Sequence, residues 1–420
     1  MKVLWITNVF LPDILQTLKL PMAVSGSWLA SSVNGIQNEY NDISIGFVAP
    51  APLQKMHKGE CHGIKYYTIP VNFLKWSNNE QKQFWLGILM DFNPDIVHIH
   101  GSEYQYGLTY LRNFPSSNVV LSIQGMMCAL SRYSLIDIKY SDIFKNLTVH
   151  EILTLTMIKM KSCFIRRSQI EKEYFEKLHY VIGRTCWDYV HALTLNPNIN
   201  YFICNETLRP SFYLHQWNIN RCNKHTIFFS QSTVPWKGFH LFLLALNIVK
   251  SKYSDVVVRV AGPNLIMQKG FFSAIKRSTY ATYILRLIKK YQLSSNIQFT
   301  GVLSEQNIVN EYLGANVFVC SSSIENSSNS ICEAQMLGVP CVCSYVGGTP
   351  SLVEDGVTGF LYRYEEYEML AYQICRIFGD DNLCKKLSEQ SKVVAAERHS
   401  RHLNAQRTMD IYKFILKENL

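Results

Sequence analysis

Residues 321–340 read Ser321-Ser322-Ser323-Ile324-Glu325-Asn326-Ser327-Ser328-Asn329-Ser330-Ile331-Cys332-Glu333-Ala334-Gln335-Met336-Leu337-Gly338-Val339-Pro340. The apolar run from Val317 that ends at Ser321 has the length of a buried strand, and the hydroxyl- and amide-rich stretch after it reads as a loop. From Ser330 to Leu337 the residues are good helix formers, stopped by Gly338 ahead of Pro340. Ser327, Ser328, Asn329 and Ser330 are all capable N-caps. Strand, polar loop and helix start, in that order, describe one βα unit, and open parallel sheets bind ligands beyond the carboxyl ends of their strands. A helix N-terminus offers backbone N–H groups and partial positive charge to a diphosphate or to sugar hydroxyls. Two carboxylates flank that place, Glu325 ahead of the loop and Glu333 in what reads as the first helical turn. On this stretch alone two readings stand level: a grip on a sugar or ribose, or Glu333 complementing the helix dipole while Glu325 is solvated.

The same rhythm runs outward in both directions. Short β-type runs alternate with longer helical stretches, which is the pattern of parallel sheets with crossover helices. The first half supplies runs at residues 3–7, 43–48, 64–69, 96–100, 119–123, 180–183 and 201–204. The second supplies 226–230, 256–262, 297–301, 317–321 and 341–344. A chain of 420 residues exceeds one hydrophobic core, so two Rossmann-like domains facing each other across a cleft are expected. The Pro-, Asn- and charge-rich stretch through Arg209-Pro210-Ser211 and Asn218 to His225 places the boundary near 215, giving domains 1–214 and 215–420.

Composition excludes several classes. With 48% hydrophobic and 17% charged residues, disorder is not a serious reading. Eighteen apolar residues nowhere run uninterrupted, so no membrane span is expected. The N-terminus reads as a first strand, not a signal peptide. The 12 cysteines contain no C-x-x-C and several sit in apolar runs, such as Cys320, Cys341 and Cys343, so they read as reduced core residues of a cytosolic protein. The net charge of +9 is spread out and gives no reason to expect nucleic acid. Its sharpest local excess, Lys159, Lys161, Arg166 and Arg167 before Glu171, Glu173 and Glu176, reads either as a solvated helix face or as a patch for anionic lipid or phosphate.

The spacing Glu325-x7-Glu333, Ala334-x3-Gly338-x-Pro340, followed by Tyr345-Val346-Gly347-Gly348-Thr349-Pro350 and Asp355-Gly356-Val357-Thr358-Gly359-Phe360, resembles the donor-site signature of glycosyltransferase family 4, retaining enzymes of the GT-B fold. Pro94 to Gly101, Trp236-Lys237-Gly238 and Phe299-Thr300-Gly301 extend the likeness over most of the chain. Ile324 to Ser327, Ser122-Ile123-Gln124-Gly125 and Val181 to Asp188 resemble the bacterial branch that assembles surface polysaccharide such as capsule and O-antigen. The resemblance implies an α/β GT-B architecture with an acceptor-binding first domain, a donor-binding second domain, and C-terminal helices packing back on the first. It implies a nucleotide diphosphate sugar as donor substrate, with UDP preferred, and a saccharide or lipid-linked acceptor.

Carried over residue by residue, the resemblance implies that Glu333 holds the donor ribose, that Glu325 touches the transferred sugar, and that backbone amides of Asn326, Ser327, Ser328, Asn329 and Ser330 contact sugar and diphosphate. Gly301, Val302 and Leu303 would read the base through backbone atoms, and Gly348 would lie beside the carboxylates. Lys237 would neutralise phosphate charge that grows as the glycosidic bond breaks, a transition-state effect. No D-x-D occurs in the sequence, so neither a divalent metal nor any other cofactor is expected. Departures from the pattern are Ser232, where many members have Arg, and Gln124, where many have His; glutamine is no general base near neutral pH. A retaining transfer without such a base is consistent with a same-face mechanism in which the leaving phosphate takes the acceptor proton; Glu325 as a covalent nucleophile is the alternative, although the resemblance points to hydrogen bonding.

His98 and His100 alternate along one run and are read as facing opposite sides, His100 toward the cleft as an acceptor or sugar contact and His98 into the core. Gly26, in Ser25-Gly26-Ser27-Trp28, stands where the resembled family has a glycine-rich loop opening the first helix; a plain turn is the other reading. Arg184 and Asn205 follow strand ends and border the expected cleft. Glu206 and Arg209 also follow strand ends and border the expected cleft, but salt bridging on a surface or between domains reads at least as well for them. A GT-B nucleotide-sugar epimerase or a non-catalytic sugar-binding protein is the alternative. A dinucleotide-dependent oxidoreductase fails because no G-x-G-x-x-G follows residues 3–7 or 226–230. Peripheral contact with a membrane, at its cytoplasmic face, completes the expectation.

Overall fold

A computed structural model of the chain describes residues 1–21, 26–264 and 277–418, apart from the side chains of residues 27 and 158. The chain divides into two compact units. One comprises Met1–Cys128, Arg166–Arg209 and the residues from His399 on; the other comprises Ala129–Ile165 and Pro210–Arg398.

The first unit is built on an eight-stranded sheet ordered β3-β4-β2-β1-β5-β6-β7-β8. Its strands are β1 (Lys2–Ile6), β2 (Ser44–Pro50), β3 (Lys58–Cys61), β4 (Ile64–Ile69), β5 (Ile96–His100), β6 (Val119–Ser122), β7 (Tyr180–Gly183) and β8 (Asn200–Ile203). All neighbours pair in parallel except β3 with β4. The second unit carries a six-stranded, wholly parallel sheet ordered β11-β10-β9-β12-β13-β14. These are β9 (Thr226–Phe229), β10 (Val257–Ala261), β11 (Ile297–Gly301), β12 (Val317–Cys320), β13 (Cys341–Ser344) and β14 (Phe360–Tyr362). Numbered from β9, that order is 3-2-1-4-5-6, the doubly wound Rossmann arrangement. Central strands such as β12 are buried along their whole length, as Val/Ile/Phe-rich parallel strands covered on both faces must be.

All twelve runs expected from the sequence form strands, with ends displaced by at most two residues. Two short edge strands, β3 and β14, were not expected. β3 reads Lys-Gly-Glu-Cys, without alternating apolar residues, and exists because it pairs with β4. No disulfide joins the described cysteines, and Cys320, Cys341 and Cys343 are buried. No described helix is long and apolar enough to cross a membrane.

The units change over at Arg209/Pro210, not at 214/215, and residues 129–165 cluster with the second unit. Phe212 is wholly buried and packs edge-on against Tyr312, while the Trp217 indole donates to the Ala315 carbonyl at 2.7 Å. Those anchors attach 210–217 to the second unit despite its loop-like composition. Of the C-terminal helices, only the last, Arg401–Glu418, belongs to the first unit; Tyr367–Gly379 and Asp381–Arg398 belong to the second. Its Ala405, Met409, Tyr412 and Ile415 enter the same buried cluster as Trp5, Val33 and Ile36.

Tyr412 joins that helix to the central strands. Its hydroxyl accepts from Trp5 Nε1 at 3.1 Å and lies 2.6 Å from His98 Nδ1, both buried. Tyr412→Phe leaves an indole N–H and an imidazole nitrogen without their partner and is expected to lower stability in urea unfolding by about 1–3 kcal/mol. A change within about 0.5 kcal/mol, as for an ordinary surface substitution, would show that the bridge contributes little.

Candidate active site

In the second unit the strand order reverses between β9 and β12, which lie side by side while their neighbours wind in opposite directions. That is where an open α/β sheet leaves a crevice at its carboxyl edge. The turn after β9 contains Pro235–Lys237 and Gly238, which opens the helix Phe239–Lys252 with φ 67°. The loop after β12 contains Ser321 to Ser328. The two backbones touch: a Cβ on Gly238 would stand 1.8 Å from the Ser321 carbonyl oxygen. The Ser323 N–H also donates to the Trp236 carbonyl at 2.8 Å. Only glycine permits both that approach and that φ.

The close approach delivers Lys237 onto Glu325. Its ammonium lies 2.6 Å from Glu325 Oε1, and Ser322 Oγ donates to the same oxygen at 2.6 Å. Burial works against the Lys237 charge, and the Glu325 carboxylate outweighs it, holding the ammonium above its ordinary range. The Gly348 N–H donates to the Glu325 carbonyl at 2.9 Å, and a Cβ on Gly347 would stand 2.0 Å from that oxygen. Lys237, Glu325 and Gly348, far apart in sequence, are thus one assembly.

The helix after the loop begins at Asn329, with Ser328 as N-cap, and ends at Leu337 before Gly338, φ 84°. No side chain caps its start; Ser328 Oγ lies instead 3.0 Å from Ser330 Oγ. Asn326 and Ser328 are buried, Ser327 and Ser330 partly so. Glu333 is buried, but it stands in the second turn, not the first, because the helix starts at Asn329 ahead of the expected Ser330. Gly301, at the end of β11, has φ 78° and its carbonyl accepts from the Gly262 N–H at 2.9 Å. Val302 beside it is 61% exposed, an apolar side chain held out at a strand end. Ser232 is fully buried, and its hydroxyl has no hydrogen-bond partner among the described residues.

The first unit reverses its order between β1 and β5, and a cavity of about 50 Å³ opens there. His100, Gln124, Arg184 and Asn205 all line it, together with Trp28 and Glu206. That volume accommodates a few waters or hydroxyl groups rather than a whole sugar ring. His98 and His100 do not face opposite sides. Residues two apart on a strand share a face, and the two rings stack 3.9 Å apart. His98 is held by Tyr412 and by Ser122 Oγ at 2.7 Å. Neither buried nitrogen of His100 has a hydrogen-bond partner among the described residues. Burial, with His98 beside it, holds His100 far below the usual imidazole range, so the ring is neutral.

Arg184 is buried, pairs with Glu206 at 2.6 Å and donates to the Ile123 and Gln124 carbonyls at 2.9 and 3.3 Å. Glu206 therefore sits in a buried pair within the first unit and lines the cavity beside Arg184, as its strand-end position suggests, rather than in a surface salt bridge. Gly26 opens the helix Ser27–Glu39 with φ 93°, and a Cβ there would meet Val9 Cγ2 at 2.2 Å. It sets the course of the helix that brings Trp28 to the cavity; Ser25 of its motif lies outside the described residues.

Sequence reasoning gave no role to two carboxyls beside this cavity. Glu171, in the acidic run that follows the basic excess, is fully buried and accepts from the Met127 and Cys128 N–H groups and from Ser102 Oγ. Glu103 accepts from the Gly125 N–H at 2.7 Å. Burial, reinforced by the Glu171 carboxylate, pushes Glu103 up to about 7 from 4.5. The only signal in the sequence was the position of Glu103 just past a strand end. Between those pH values the folded chain binds more protons than the unfolded one, so stability from Glu103 is full below about 4.5 and lost as pH rises through 7. Glu103→Gln removes this loss, and its stability relative to the parent is expected to rise by about 2 kcal/mol between about pH 5 and pH 8. Thermal unfolding across that range checks it; a constant difference excludes the protonated carboxyl.

Comparison with known proteins agrees with this geometry. Residues 215–394 match the family described as Glycosyl transferases group 1. The chain is 24% identical over 387 residues to the putative glycosyltransferase YtcC of Bacillus subtilis, an alignment covering 90% of this chain and 85% of that one. Sucrose-phosphate synthase from Thermosynechococcus elongatus superposes with a TM-score of 0.72 at 14% identity over 100% of both chains. HepE of Anabaena, solved in complex with UDP, superposes with a TM-score of 0.63 at 13% identity over 98% of this chain and 100% of that one. The fold is GT-B, and together the matches indicate a glycosyltransferase whose region of family similarity, 215–394, contains Lys237, Glu325 and Glu333.

Proposed function

We propose that this chain moves a sugar from a nucleoside diphosphate donor to a saccharide or lipid-linked saccharide, retaining anomeric configuration and using no divalent metal. The reading is carried by the Lys237–Glu325 pair, set at the β9/β12 reversal against the start of the helix Asn329–Leu337. In this reading the donor diphosphate takes the N–H groups of that uncapped helix start and draws the Lys237 ammonium from Glu325. Glu325, still held by Ser322, then accepts a hydroxyl of the transferred sugar. As the glycosidic bond breaks, negative charge gathers on the leaving phosphate, and an ammonium already fixed beside it stabilises that state with little reorganisation. Glu333 binds the ribose hydroxyls, and the exposed Val302 offers an apolar surface to the base.

The first unit's cavity takes an acceptor hydroxyl in this account, with neutral His100 and the Gln124 amide as hydrogen-bonding groups and Arg184 as a positioning residue through the 123–124 backbone. No side chain is assigned as general base; the departing phosphate oxygen takes the acceptor proton. UDP is the favoured nucleotide, since it is what the Anabaena neighbour was solved with. The likeness of residues 122–125, 181–188 and 324–327 to the surface-polysaccharide branch supports a role in bacterial surface polysaccharide assembly, at the cytoplasmic face of the membrane.

Nucleoside diphosphate release, measured with a panel of saccharide acceptors, tests this. Lys237→Ala is expected to lower turnover by about 100- to 1000-fold, with the folded state checked by circular dichroism because Glu325 loses its partner. Glu333→Ala is expected to weaken nucleotide affinity by about tenfold or more, and Glu325→Gln to lower turnover more than affinity. Donor binding without turnover on any acceptor would leave a sugar-binding protein instead.

A second measurement addresses the metal. Activity is expected to persist in EDTA, and a strict magnesium requirement overturns the metal-free reading.

A further inference from the structure

Residues 139–161 contain a helix pair turned inside out. The helix Tyr140–Lys145 packs on the helix Thr279–Lys290 and buries Ile143, yet Tyr140 and Phe144 are 64% and 61% exposed. Four residues apart, they share one face. The helix Val149–Thr154 follows after three residues. Glu151, its one acidic residue, is wholly buried. The Glu151 carboxylate accepts the Met157 N–H at 2.8 Å near the start of the helix Thr156–Lys177, and its own N–H donates to Thr148 Oγ1. Ile152 and Leu153 are left 63% and 76% exposed. A surface helix ordinarily does the reverse, apolar side inward and charge outward. Here the buried carboxylate ties the segment down, and the apolar side chains form its outer face.

Exposed lysines belong to the same segment. Lys139 and Lys145 flank the first helix and Lys159 and Lys161 follow the second, all exposed; Asp142, half-buried, is the acid among them. Exposed aromatic and aliphatic side chains in a segment that also exposes four lysines match the boundary of an anionic bilayer, where rings and aliphatic chains enter the headgroup region and ammonium groups meet lipid phosphate.

We propose that residues 139–161 dock this protein on anionic membrane, with Phe144 and Leu153 entering the headgroup region and Lys159 and Lys161 meeting lipid phosphate. The inference rests on the proposed reading only in supplying a reason for membrane residence, the lipid-linked acceptor. Binding is reversible and weakens with salt, because neither term alone holds a protein at the surface.

The test is co-sedimentation of the full chain with vesicles of phosphatidylcholine alone and of phosphatidylcholine mixed equally with phosphatidylglycerol. Binding is expected to the mixed vesicles only, and to fall about tenfold or more in the double variant Phe144→Ser/Leu153→Ser and, separately, in Lys159→Glu/Lys161→Glu. The lysine variant changes only exposed side chains, so a misfolded Ser variant does not decide the outcome. Nucleoside diphosphate release to a water-soluble acceptor is expected to be unchanged in both. Vesicle binding is equally expected to survive Glu325→Gln, which keeps failure of docking distinct from failure of the transferase reading. No binding by the parent chain, equal binding by the variants, or a dimer that the Ser variant converts to monomer overturns the proposal.

Discussion

The contact of Gly238 with the Ser321 carbonyl governs the candidate donor site. Two adjacent strands of opposite winding leave their loops side by side, and a missing Cβ lets those loops touch. Lys237 and the Ser321–Ser328 loop are then positioned by backbone packing rather than by their own side-chain freedom. The ammonium reaches Glu325 as a consequence, and Ser322 and the Gly347-Gly348 turn complete the surroundings. A partly buried ion pair of this kind is a poor source of stability, since desolvation offsets much of the attraction. Its value lies in keeping a cation and a carboxylate in place, where an anionic ligand can exchange for one of them.

The first unit uses the same topology for a different end. Its reversal point brings aromatic and imidazole rings together: His98 stacks on His100, and Trp5 and Trp28 meet these rings edge-on or tilted, at the cavity. Burial keeps these imidazoles uncharged and leaves Arg184 as the cation among the cavity's lining residues, already paired with Glu206 and bonded to backbone. A pocket so arranged offers neutral hydrogen-bonding groups, which suits hydroxyls better than phosphate.

Segment 129–165 has a different character. It interrupts the βα series of the first unit in sequence but packs in the second. Its two short helices are held through Ile143 and the inward-facing Glu151. Such an element can present an apolar face outward because its anchors are few and specific.

Much of this was legible in the sequence. The apolar runs located twelve strands, since parallel strands buried on both faces have few alternatives to Val, Ile and Phe. The spacing from Glu325 to Gly348, with Lys237 after the first strand of its series, named the residues that the fold brings together, because strand-end position is itself a sequence property. Tertiary structure alone decided the rest. It started the helix at Asn329 and so moved Glu333 into the second turn; it also sent Glu151 and Glu171 inward to unpaired helix-start N–H groups. Stacking of His98 on His100 follows from the two-residue period of the strand, which the sequence contains and its reading inverted. The partners of Arg184, the unit membership of 129–165 and the close approach at Gly238 depend on which loops meet in space. No local pattern carries that, because those contacts join residues from about twenty to over one hundred positions apart.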